Sequence, residues 1–138
     1  MEKITTNLII FLLVFIIMLA IDFIWLKFII GDFFFKEIGK IANPNGTGFQ
    51  INYIAGLFVY ILMTLAIMIF VLPQATSKTN ALLLGALLGF ISYGIFDGTN
   101  LAIFTDYSTK MAIIDIAWGT FIMGIGALSA YLLQTEVF

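Results

Sequence analysis

Four long apolar runs divide the chain, at residues 8–30, 51–72, 81–104 and 111–133. Each reaches the roughly 20 residues needed to cross a bilayer core. In hydrocarbon a few open strands would leave backbone groups unpaired, so the runs must be helices. Of the 138 residues, 62% are hydrophobic and 10% charged. A soluble domain usually has about 45–50% apolar and about 25% charged residues, so a bilayer is the fitting solvent. The expectation is an all-α membrane protein: one domain, residues 1–138, built as a four-transmembrane-helix bundle with the lipid bilayer as its partner. The first run is too long for a signal peptide, and Met18-Leu19-Ala20 is a poor cleavage site. It reads as a retained span.

The connections are short except the first, residues 31–50. Within it Phe34, Ile38 and Ile41 share one helical face while Lys36 and Lys40 share another, which predicts a short interfacial helix over residues 32–41. Asn43-Pro44-Asn45-Gly46 then reads as a turn. Lys36, Lys40 and Lys110 lie in loops one and three, with Lys27 nearby; Lys3 and Lys78 lie on the other side. The positive-inside rule therefore places both termini outside.

Composition removes much chemistry. The sequence has no Cys, no His and no Arg; its six basic residues are all lysines. Thiolate sites, the commonest general base and metal ligand, and bidentate guanidinium clamps are all missing. A net charge of −2 gives no reason to expect nucleic acid. No metal centre and no cofactor is expected. The chemistry left belongs to Asp, Glu, Lys, Tyr, Ser, Thr and Asn.

Three aspartates fall inside the apolar runs. Asp22 lies about three residues past the middle of span one, Asp97 four or five past that of span three, and Asp115 about seven before that of span four. At 1.5 Å per residue these are roughly 5, 7 and 10 Å from the midplane. In an antiparallel bundle all three displacements point to the side of loops one and three. The carboxylates should thus share one layer. Each costs about 2.5–3.5 kcal/mol on insertion scales and must find a partner or a wet interior. Like charges in one dry layer cannot all ionise, so at least one should hold a proton near neutrality.

Partners are legible nearby. Tyr93, Asp97 and Asn100 share a face of span three, with Thr99 in the same motif. Tyr53, Tyr60 and Thr64 form a stripe on span two. Asp115, Gly119, Ile122, Gly126 and Ser129 line a mostly small face of span four. Trp25 follows Asp22, and Trp118 follows Asp115, at an i, i+3 interval that brings an indole N–H near the carboxylate. The alternative for both indoles is an interfacial aromatic belt. Lys27 is the lysine placed to offset the layer's charge. Gly85-Ala86-Leu87-Leu88-Gly89 is a small-residue motif that joins either spans three and four or two copies. Asp22-x-x-Trp25-Leu26 and Asp97-x-x-Asn100-Leu101 suggest a duplicated hairpin.

Four constellations in order carry a resemblance: Asp22-x-x-Trp25-Leu26; Phe34 with Glu37-Ile38-Gly39; Tyr93-x-x-x-Asp97-x-Thr99-Asn100-Leu101-Ala102; and Asp115-x-x-Trp118-Gly119. Together they make the chain similar to the DUF2177 family of small bacterial integral membrane proteins over nearly its whole length. Asp106-Tyr107-Ser108 departs from the family pattern, which carries a tryptophan there, and Gly98 is also atypical. The resemblance implies the architecture, the choice of residues and a bacterial inner membrane. It transfers no activity.

Three function classes follow. A channel or transporter for protons, cations or a small solute would use Asp22, Asp97 and Asp115 with Asn100, Tyr93, Thr99, Trp25 and Trp118 around them, because intramembrane ionisable residues mark such pathways. Four spans are few for this, so a homo-oligomer is expected. A structural or accessory subunit would use the same groups as hydrogen-bonded glue. An enzyme acting on a lipid or isoprenoid would need the carboxylates as oxygen ligands or as a general acid. The sequence does not decide whether the protein is an enzyme.

Overall fold

The computed structural model describes residues 2–42 and 51–138. The described residues form helices and short turns, with no strand. Four helical segments are long and apolar enough to cross a membrane: Lys3–Gly39, Tyr53–Gln74, Lys78–Ile103 and Thr109–Val137. The chain is therefore the four-helix membrane bundle that its apolar runs require. The turn expected at residues 43–46 lies outside the described residues.

The first segment is longer than its apolar run. Helix α1 (Glu2–Ile24) passes through a widened π-helical turn (Trp25–Ile30) into α2 (Gly31–Ala42). Gly31 itself is in the right-handed helical region, so nothing interrupts the backbone. The helix expected in loop one thus forms, but as a continuation of span one rather than a separate piece. Gly31 makes the joint possible. A Cβ there would collide with the carbonyl oxygen of Leu26, which the wide turn pushes into that space.

The other spans start sharply at polar caps. Asn52 caps α3 (Tyr53–Ala66), its Oδ1 accepting from Ala55 N at 3.1 Å. Ser77 caps α4 (Lys78–Ile103), its Oγ accepting from Asn80 N at 3.1 Å. Ser108 caps α5 (Thr109–Leu132), its Oγ accepting from Met111 N at 3.2 Å. Each side chain satisfies a backbone donor that the first helical turn leaves orphaned. This is why α4 and α5 begin two or three residues before their apolar runs.

Helix α5 is the hub. Ile122, Met123, Ala127 and Ala130 from α5 are buried with Ile10, Val14 and Met18 from α1 and with Ile67, Val71 and Leu72 at the end of span two. The α1 residues recur at i, i+4 and i+8, one stripe of a helix. Large apolar side chains such as Leu12, Ile16, Ile54, Phe58, Leu83 and Phe90 point outward, as suits a lipid-facing surface.

Helices α4 and α5 meet almost without side chains between them. A Cβ on Gly85 would strike the Ala127 methyl group; one on Gly89 would come within 2.8 Å of Met123 Cβ and overlap the Gly119 carbonyl. A Cβ on Gly119 would sit inside the Tyr93 ring. The rungs are 85 against 127, 89 against 123 and 93 against 119: four residues up α4 match four back on α5. The Gly85–Gly89 motif is thus consumed inside the chain. A further α4 glycine, Gly94, has open space before it. Gly89→Ala should therefore cost about 1–3 kcal/mol through overpacking. Gly94→Ala should be neutral or stabilise by up to about 1 kcal/mol. Thermal unfolding of the two variants in detergent reads the difference.

Candidate functional site

The layer forms around two carboxylates held in different ways. Asp22, half-buried on α1, is bound from two other helices. Trp118 on α5 donates its indole N–H to Asp22 Oδ1 at 2.6 Å. The Tyr60 hydroxyl on α3 donates to Asp22 Oδ2. Both oxygens have a donor, and one side chain ties α1, α3 and α5 together. Hydrogen bonds to charged groups contribute about 1.5–3 kcal/mol each.

The tryptophans act differently from the i, i+3 expectation. Trp118 reaches across to Asp22 instead of along its own helix to Asp115. Trp25 lies flat on Trp118, with ring centroids 4.1 Å apart and planes 5° from parallel. Phe121 closes the far side at 5.3 Å. Trp25 therefore fixes the plane of the indole that binds Asp22. Helix geometry explains the difference: at i, i+3 two side chains are neighbours on a surface, while a buried carboxylate is better satisfied by a donor arriving head-on from a facing helix.

Asp97 on α4 is 0% exposed. Its Oδ1 accepts from the Tyr107 hydroxyl at 2.7 Å. Its Oδ2 is buried with no hydrogen-bond partner among the described residues. The α4–α5 register sets what lies opposite. Continued by one turn beyond Tyr93–Gly119, that register carries Asp97 toward Asp115, and the two carboxylates are within electrostatic reach. Tyr93, seated on Gly119, is within electrostatic reach of Asp22, Asp97 and Asp115. Its hydroxyl lies 3.9 Å from Met63 Sδ, a weak contact. The three aspartates thus gather around one phenol.

Tyr107 belongs to the turn between α4 and α5. Burial, and then its hydrogen bond to Asp97, push its phenol above the ordinary range, so it remains a donor at neutral pH. Asn100 sits beside the same hydroxyl. The neighbouring Ser108 donates to Glu37 Oε2 on α2 at 2.5 Å while capping α5. Lys110 Nζ stands 4.7 Å over the Phe33 ring. Helix α2 is thereby fastened over the loop-three end of the layer.

Three expected members lie elsewhere. Thr99 is exposed on α4; it is two residues from Asp97 and so on nearly the opposite side of the helix. Tyr53 is 74% exposed at the start of α3, whereas Tyr60 and Thr64 turn inward. Lys27 stands over the rings of Phe23 and Phe28, at 5.2 and 5.4 Å. Among the described residues the recorded ion pair, Lys78 with Glu136 at 2.5 Å, is at the other end of the bundle and exposed. Such a pair is worth little.

Residues 7–132 match the DUF2177 family, described as predicted membrane proteins. The chain belongs to that family. No curated protein and no solved structure matches it. The DUF2177 match spans every residue of the layer, from Asp22 to Trp118, and the caps at Ser77 and Ser108.

Two donors were not singled out as site residues from the sequence. Tyr60 was visible as a polar interruption at i−4 from Thr64. Tyr107 lay in a loop, where a phenol carries no signal of burial. Tyr60→Phe and Trp118→Phe should each lower stability by about 1–3 kcal/mol, the cost of stranding one oxygen of Asp22. The two single variants and the double variant, compared by thermal unfolding, should be non-additive because they share that acceptor. Trp25→Phe and Trp118→Phe should each abolish the exciton signal of the stacked indoles in circular dichroism.

Proposed function

We propose that this protein is a channel or transporter for a proton, cation or small solute, with the Asp97–Asp115 rung as its binding element. The observation that carries the reading is the buried Asp97 oxygen without a donor, one rung from a second carboxylate. An unpaired carboxylate oxygen at membrane depth is costly unless a proton or another positive charge visits it. Asn100 and Tyr107 supply polar surface beside it. Asp22 has a separate task, because both of its oxygens are occupied. It holds the frame. Four spans leave little room for a pathway within one copy, which favours assembly of several copies in a bacterial inner membrane.

The second reading, a structural or accessory subunit, draws on Asp22. A carboxylate bound by donors from two other helices is what intramembrane glue looks like. The two readings make opposite demands on the aspartates. Asp97→Asn and Asp115→Asn should abolish proton or cation flux in proteoliposomes while leaving thermal stability within about 1 kcal/mol of wild type. Asp22→Asn should mainly destabilise. Absence of flux from wild-type protein for protons, sodium and potassium, with Asp97→Asn and Asp115→Asn unfolding early, would favour the structural reading.

A further inference from the structure

The Asp97–Asp115 rung has one obvious cover. Asp97 lies six residues below the end of α4 at Ile103, about 9 Å along the helix. The Tyr107 side chain folds down from the turn onto it. The next residue, Ser108, is gripped twice, by the start of α5 and by Glu37 on α2. Two consecutive residues therefore hold both the cover of Asp97 and the latch of α2.

We infer that the α4–α5 turn is the gate to the Asp97–Asp115 pair, that Tyr107 is its moving part and α2 its latch, and that the ligand admitted is a proton. This rests on the reading of the rung as a binding element.

The donor set argues for the proton. Calcium takes six to eight oxygens and magnesium six in near-octahedral geometry. The rung offers two carboxylates with the Tyr107 phenol and the Asn100 side chain beside them, fewer ligands than either cation takes, and the described residues contain no cluster of three or more acidic groups able to hold a metal ion. A proton needs one carboxylate oxygen and no further ligand, and a second carboxylate within electrostatic reach favours its retention. The charged and titratable groups around the pair are also consistent. Asp22 faces it from α1 and is occupied by Tyr60 of α3 and Trp118 of α5. Tyr93 faces it from α4 and Tyr107 from the turn. Glu37 on α2 is engaged with Ser108, and Lys27 and Lys110 are engaged with phenyl rings. No described lysine is paired with the rung. When Tyr107 swings out, a proton passes between water on the loop side and a carboxylate of the pair; Tyr107 keeps its own proton throughout.

The test is carbodiimide labelling of the full chain in liposomes, read by peptide mass spectrometry. A lipid-soluble carbodiimide reacts with protonated carboxyl groups in apolar surroundings and needs no gate. A water-soluble one must pass Tyr107. In wild type the lipid-soluble reagent should label Asp97 or Asp115, and labelling should fall as the pH is raised. In Glu37→Ala its labelling should be unchanged, and in Tyr107→Phe, where Asp97 loses a donor to its carboxylate, it should not fall; both results also show that the variants are folded. The water-soluble reagent should label the pair about tenfold faster in both variants, as expected for loss of one charge-assisted hydrogen bond from the closed state. No labelling of either aspartate by the lipid-soluble reagent, or protection by millimolar sodium, potassium or magnesium, would overturn the proton. Equal water-soluble labelling in wild type and both variants would overturn the gate. Flux that persists without labelling sinks this inference alone. Labelling that persists without flux sinks the transport reading and leaves the proton pair standing.

Discussion

Gly85, Gly89 and Gly119 let α4 and α5 approach closely, so tight packing does in lipid what the hydrophobic effect does in water. That close approach fixes the register, because each missing Cβ is filled by a specific atom of the other helix. The register then carries Asp97 opposite Asp115 and seats the Tyr93 ring on Gly119. A bundle joined by larger residues would tolerate sliding by a turn. This one would strike a side chain against a backbone carbonyl first.

Around that pair of helices the carboxylates divide their work by satisfaction. Asp22 has two donors from two neighbouring helices and a stacked indole to fix one of them. Its free energy is spent on holding α1, α3 and α5 at one point. Asp97 is more deeply buried and less well served, with one oxygen lacking a donor. Buried networks that are complete rigidify a core, and a buried oxygen without a donor is the exception that calls for its own explanation.

The spans were legible in the sequence because hydropathy over some twenty residues is a strong signal, and the layer was legible because charge in such runs is rare. The donors were less so. Thr99 drew notice through its motif, but adjacency in sequence is separation on a helix, and it faces outward. The tryptophans drew notice through local spacing, whereas the bond that forms crosses from α5 to α1. The first connection is expected to begin at residue 31, and a widened turn carries the helix through Gly31 instead. Tyr107 stood in a short loop, and only the folded turn brings it onto Asp97. For the tryptophans the missing information was which helix stands opposite, which no single-helix periodicity contains; Thr99, by contrast, is turned away by the periodicity of its own helix.

The unbroken helix from Lys3 to Gly39 has a mechanical consequence. Its 37 residues amount to about 55 Å of helix, against a hydrocarbon core of about 30 Å. It must tilt, bend at its widened turn or extend past the hydrocarbon, and each posture answers to membrane thickness. Asp22 is carried on that helix. A thinner or thicker bilayer would therefore pull on the one carboxylate that three helices share, making lipid composition a variable the bundle feels directly.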